Sequence, residues 1–239
     1  MNNLNWEEKF ENKLNITEKD YHNILSTINN EENKQKIKVI PIEVKRTLSN
    51  EFINQNPEFA LNLEEILKIF ALSNGGLGYK SGMSFIAKTI LKLTNNNKIK
   101  AFIILRNIFE DDNLKSLYEN NHEKIKDMYE KFKLKLKEKI SILYNYFVKN
   151  NIDVQFIHGW IMSLFSFNFD DKIGEYVFKL YIIKKDFNVY YDAALAILKC
   201  FENEILNHNE ILYIYSLLNS AKINIDANTF IYNMNKITN

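Results

Sequence analysis

Arg46 and Arg106 are the only arginines in a chain of 239 residues, among 31 basic residues in all. A guanidinium presents a planar fork of donors that fits phosphate or carboxylate oxygens, which a lysine ammonium cannot reproduce. An arginine kept in so Lys-dominated a sequence is therefore a candidate for that task, to be weighed against a plain leftover. Arg46 lies in Lys36-Ile37-Lys38-Val39-Ile40-Pro41-Ile42-Glu43-Val44-Lys45-Arg46-Thr47-Leu48, which also holds one of the two prolines. Glu43 precedes Arg46 by three residues, so a single helical turn would put the carboxylate beside the guanidinium and hold it. Read alone, the pair is an ordinary surface ion pair worth a few tenths of a kcal/mol. A second concentration follows in Ser73-Asn74-Gly75-Gly76-Leu77-Gly78-Tyr79-Lys80-Ser81-Gly82-Met83-Ser84-Phe85-Ile86. It gathers four of the six glycines into eight residues and then opens an apolar run near Met83. Clustered glycine lets a backbone turn tightly or approach another group closely, and read alone this is a helix-loop-helix turn.

Other chemistries find no footing. His22, His122, His158 and His208 are scattered, with no HExxH pair and no carboxylate at ligand spacing, so no metal is expected. His158, on an apolar stretch beside Trp160, reads as a satisfied core residue. Neither a Gly-rich nucleotide cradle nor a GxSxG nucleophile is present. The lone Cys200 reads as small packing volume facing Leu and Phe, and a single cysteine excludes a disulfide framework. A formal net charge of +1 argues against nucleic acid, whose binding needs a basic face to displace counterions.

The elements that must position these residues are helical. Apolar residues recur at steps of three or four through Ile125, Met128, Phe132, Leu136, Ile140, Leu143 and Phe147, with Lys and Glu between them. That periodicity predicts one long amphipathic helix ending at Asn150-Asn151. Further helices are expected over about 62–72, 83–93, 98–109, 155–167, 172–183, 190–206 and 210–218. Six Gly and two Pro are too few turn signals for a many-stranded β protein. The uncharged run Val154 to Phe169 is 16 residues long, shorter than the roughly 20 a membrane span needs, and reads as a buried helix. No signal peptide is read at the N-terminus. The expected fold is all-α, in two helical lobes.

Taken in order, the two segments resemble the TBC domain of Rab GTPase-activating proteins. The family's IxxDxxR motif corresponds to Ile40-x-x-Glu43-x-x-Arg46-Thr47, and its GYxQGMxxI stretch to Gly78-Tyr79-Lys80-Ser81-Gly82-Met83-Ser84-Phe85-Ile86. Phe156, Trp160 and Leu164-Phe165-Ser166 are similar to its F…WxxxxFS stretch. Lys172-Ile173-Gly174-Glu175 stands where the family often has R-[IL]-W-D, and Ala193 to Leu198 is similar to its ALALL helix. The likeness runs over roughly 35–206; residues 1–34 would be helices leading into the domain and 207–239 helices completing it.

The resemblance implies an activator that acts in trans on a GTP-bound Rab-type GTPase and is not itself an enzyme. Arg46 would be the arginine finger and Glu43 its orienting carboxylate. Tyr79, with Gly78, Gly82 and Thr47, would serve partner binding and the loop of a second finger. That finger is a Gln in the family and Ser81 here. No cofactor is implied for this chain, since GTP and Mg²⁺ would belong to the GTPase. Direct membrane insertion is not expected; the place would be the cytoplasm, peripheral at endomembranes through the Rab. Glu43 also replaces the family's Asp, and the early RxxxW has Asn2 and Trp6 at its ends. Three readings stay open: an activator of reduced rate that uses the GTPase's own Gln, an inactive Rab-binding scaffold in membrane traffic, and a helical adaptor unrelated to GTPases.

Overall fold

The structure is a computed structural model that describes residues 5–119, 121–220 and 223–238; Asn2 falls outside these. It is all-helical and divides into two units, which are taken separately.

The first unit, Glu7–Glu119, begins with a short 3₁₀ turn, Glu7–Lys9, followed by α1 (Glu18–Leu25), α2 (Glu31–Ile37), α3 (Ile40–Thr47) and α4 (Asn50–Gln55). Then come α5 (Pro57–Ser73), α6 (Met83–Leu93), α7 (Lys98–Ile108) and α8 (Asp112–Tyr118). Helix α5 is the axis of the unit, packed against α1 to α4, α6 and α7. It is apolar around most of its circumference, with Phe59, Leu63, Ile66, Leu67, Phe70 and Ala71 all buried. A helix apolar around most of its surface must lie largely inside, and each of its larger apolar side chains contributes about 1.5–3 kcal/mol on burial. Pro57 starts α5 at a position where its missing N–H costs nothing. Thr17 and Asp20 cap α1 reciprocally.

The second unit holds residues 5–6 and 121–238. Its helices are α9 (His122–Lys139), α10 (Ser141–Lys149), α11 (Ile157–Met162), α12 (Asp171–Lys184), α13 (Asn188–Cys200), α14 (Glu202–Asn207), α15 (Ile211–Leu218) and α16 (Ala227–Thr238). Helix α13 is its buried centre, with every residue from Val189 to Leu198 out of solvent. Helix α16 packs on α13, whose buried surface includes the small residues Ala193, Ala194 and Ala196. Trp6 is buried edge-on against Phe178, ring centres 5.9 Å apart. Phe156, Trp160 and Phe169 form an aromatic cluster, and the Trp160 indole donates to the Leu218 carbonyl at 3.1 Å. The stretches that carry the later part of the resemblance thus build core.

Several expectations need correction. The long helix foreseen from Ile125 to Phe147 is two helices, broken at Ile140, whose φ of −139° and ψ of 61° are not helical. Met128, Phe132, Leu136, Ile140, Leu143 and Phe147 are nonetheless all buried. The three steps of four from Met128 to Ile140 turn the stripe by about 120° and the step of three from Ile140 to Leu143 returns it by about 60°, so periodicity alone carries no sign of the break. The helix foreseen over 155–167 is confined to Ile157–Met162, because Leu164 and Phe165 take positive φ values of 46° and 60°. Phe165 N–H bonds back to the Trp160 carbonyl at 2.7 Å, the reversal that usually ends a helix at glycine. The segment foreseen over 190–206 divides into α13 and α14 at Phe201.

Candidate functional site

Helix α3 presents two faces. Ile40 and Val44 point into the unit, fully buried. One turn apart on its flank, Glu43 Oε1 accepts from Arg46 Nη1 at 2.8 Å. The two partners differ sharply: the Arg46 side chain is 71% exposed, whereas that of Glu43 is only 12% exposed. The carboxylate is thus anchored from behind. Its second oxygen, Oε2, accepts from the Tyr79 hydroxyl at 3.1 Å. Arg46 spends one of its five donors on this contact and offers the rest to solvent.

Tyr79 belongs to the Gly-rich loop, so the carboxylate joins the two segments singled out above. A further link reaches α6. Thr47 Oγ1 lies 2.8 Å from the Glu43 carbonyl oxygen and 2.7 Å from Ser84 Oγ. Thr47 has one proton; when it donates to the carbonyl, the Ser84 hydroxyl donates to it. Ser84 is fully buried on the first turn of α6. Glu43, Tyr79, Ser84 and Thr47 therefore tie α3, the loop and α6 into one polar network inside an apolar setting. Burial and the adjoining Glu43 carboxylate push the Tyr79 phenol above its ordinary range, although the nearby Ser84 acts the other way. It remains a hydrogen-bond donor at neutral pH.

The loop keeps its shape through two devices. Asn74, 6% exposed, donates Nδ2 to the Gly78 carbonyl at 2.7 Å and accepts from Gly78 N–H at 2.9 Å. Its amide pairs with the backbone as a neighbouring strand would. Further on, Met83 N–H bonds the Lys80 carbonyl at 3.3 Å across Ser81 and Gly82. Gly82 has φ 95° and ψ −29°, the conformation required at the third position of a type II turn, and only glycine enters it without strain. Ser81 is the other central residue of that turn and is exposed.

The residues expected to form a site are accordingly placed as follows. Glu43, Arg46, Thr47 and Tyr79 lie in one bonded network, with Gly78 and Gly82 shaping the loop. Ser81 stands two residues beyond Tyr79, within about 7 Å along the chain, and takes no part in the network. Asn74 and Ser84 escaped the sequence reading, being two more polar residues in an Asn-rich chain. The i,i+4 distance of Asn74 to Gly78 was the one available signal for the clamp.

Elsewhere, Arg106 is half-buried on α7, 3.5 Å from Glu110, and its pKa is lowered mainly by desolvation. His158 differs from the satisfied core residue foreseen: its Nδ1 is buried without a partner, beside the edge of Tyr129, and burial lowers its pKa. Cys200 is half-buried at the end of α13, where the Asn233 amide donates to its sulfur at 3.3 Å. Among the described residues no helix is long and apolar enough to cross a membrane.

Comparison with known proteins bears on the fold. The solved TBC domain of a Chlamydomonas flagellar RabGAP superposes with a TM-score of 0.78 at 18% identity, over 99% of this chain and 77% of that one. The Ypt/Rab-GAP domain of Gyp1p superposes with a TM-score of 0.74 at 14% identity, over 92% of this chain and 78% of that one. At such identities the likeness is one of fold. The profile of the Rab-GTPase-TBC domain matches residues 2–206. With so much of its length matched, the chain belongs to the Rab-GTPase-TBC domain family, and its helical fold is that of Rab-GAP modules.

Proposed function

We propose that this domain docks on a GTP-bound Rab-type GTPase and accelerates hydrolysis with Arg46 as its arginine finger. The observation that carries the reading is the asymmetry of the Arg46–Glu43 pair, an exposed guanidinium on a carboxylate that is largely shielded and doubly held. A surface ion pair needs no such anchoring. In the reaction, water attacks the γ-phosphorus, the bond to the β–γ bridging oxygen breaks and inorganic phosphate leaves. Negative charge grows on the bridging and equatorial oxygens, where a guanidinium fork neutralises it, an effect worth about 10³–10⁵ in rate. Glu43 fixes the direction of the finger, and Tyr79, Ser84 and Thr47 fix Glu43.

Ser81 sets the limit of the activity. Its hydroxyl is several bonds too short to orient water as a glutamine amide would, so the GTPase's own Gln would have that task, giving a slower activator. GTP and Mg²⁺ come with the partner. The chain would reach endomembranes from the cytoplasm through its Rab. A second reading, an inactive scaffold that holds a Rab in membrane traffic, draws on the same exposed Ser81. Single-turnover hydrolysis over a panel of GTP-loaded Rabs separates the two. Acceleration on at least one member, raised by Ser81→Gln, is the expected result. GTP-dependent binding without acceleration by either chain supports the scaffold.

A further inference from the structure

Two large aliphatic side chains lie in the open on α3, in line with the finger. Ile42 is 53% exposed and Val39 is 39% exposed. Val39 precedes α3 but has helical φ and ψ of −79° and −22°. Residues 39, 42 and 46 therefore follow the three-and-four spacing of one helix face, with both aliphatics within about 40° of the Arg46 direction. The opposite face, Ile40 and Val44, already fills the core, so Val39 and Ile42 have no packing duty there. Exposed β-branched residues also lower helix propensity. Lys38 and Lys45, both exposed, stand along one edge of the same stripe, seven residues apart.

We propose that Val39 and Ile42 form an apolar seat for the surface bordering the nucleotide site of the GTPase, with Lys38 and Lys45 facing acidic side chains on that surface. The inference rests on the Arg46 reading and deepens it. For the guanidinium to enter a nucleotide site, the α3 surface one turn away must press on the partner and lose water. Two aliphatics there favour that contact, while the pair of lysines speeds encounter and makes it salt-dependent. The stripe thus determines how tightly and how fast the partner docks, leaving the chemical step to Arg46.

The test uses the full chain with GTPases loaded with a nonhydrolysable GTP analogue for binding, and with GTP for single turnover. Ile42→Asn should weaken binding on the order of tenfold, and the Val39→Asn/Ile42→Asn pair further, with the rate at saturation unchanged. Lys38→Glu/Lys45→Glu should slow association and flatten or reverse its salt dependence. Arg46→Ala should do the opposite of Ile42→Asn, losing the saturating rate while still binding. Native-like circular dichroism and melting are expected for all of these surface variants. Equal affinity for the native chain and both aliphatic variants overturns the seat while leaving the Arg46 reading intact. Failure of the native chain to bind any GTPase overturns both.

Discussion

Tyr79→Phe removes a single oxygen and separates a pinned finger from a loose ion pair. That oxygen donates to Glu43 Oε2 at 3.1 Å. A hydrogen bond to a charged group contributes about 1.5–3 kcal/mol net. Its removal predicts a loss of about 1.5–3 kcal/mol in stability. Arg46→Ala makes the contrast. Its 71% exposed side chain takes part in a pair worth at most about 1 kcal/mol, and its removal frees a carboxylate still held by Tyr79. Urea unfolding followed by circular dichroism, with the slope compared between variants, reads both losses. In single turnover, Tyr79→Phe should retain a reduced rate because Arg46 is present but less well aimed, whereas Arg46→Ala should lose the acceleration. A Tyr79→Phe chain equal to native in unfolding midpoint would refute the argument that Glu43 is held through this hydroxyl.

Other consequences follow from the same geometry. Asn74→Ala should cost about 2 kcal/mol, since two bonds to a buried residue go at once; Asn74→Asp should not rescue it, because a carboxylate cannot donate to the Gly78 carbonyl, and urea unfolding reads both. Gly82→Ala should cost about 1–2 kcal/mol through its positive φ and lower the hydrolysis rate by displacing Ser81 and Tyr79, as unfolding and single-turnover assays will show. His158 should make the fold acid-sensitive. Burial lowers its pKa in the folded chain below the ordinary value of about 6.5, so the unfolded chain binds more protons as pH falls through that value. Stability should decline below about pH 6.5, and less so in His158→Leu, when unfolding midpoints are compared between pH 5 and 7.5.

Much of this molecule is legible in its residues because its strongest local signals agree with its packing. Helix α6 lies over Met83–Leu93 as periodicity predicts, and α3 takes the turn that sets Glu43 beside Arg46. Where legibility fails, tertiary contacts decide. The interruption at Ile140 has no Gly or Pro to announce it, and an unbroken apolar stripe runs across it. Leu164 and Phe165 adopt left-handed backbone that aliphatic and aromatic residues seldom accept, so composition alone extends that helix too far. In the site, charge and spacing point to Arg46 and Glu43, and the family resemblance points to Tyr79. Ser84 is different: it looks like any serine until α6 is set against α3, when its hydroxyl meets Thr47. Asn74 likewise gains meaning only when the loop curls back to place Gly78 within reach of its amide.

The central claim is that Arg46 acts chemically on the GTPase, beyond merely touching it. The most direct measurement follows single-turnover GTP hydrolysis at saturating domain for the native chain, Arg46→Ala and Arg46→Lys, with analogue binding measured on the same preparations. The account predicts that all three bind, that the native chain accelerates hydrolysis, and that both variants lose most of that acceleration, since an ammonium lacks the planar fork. Acceleration that survives intact in Arg46→Ala would contradict it.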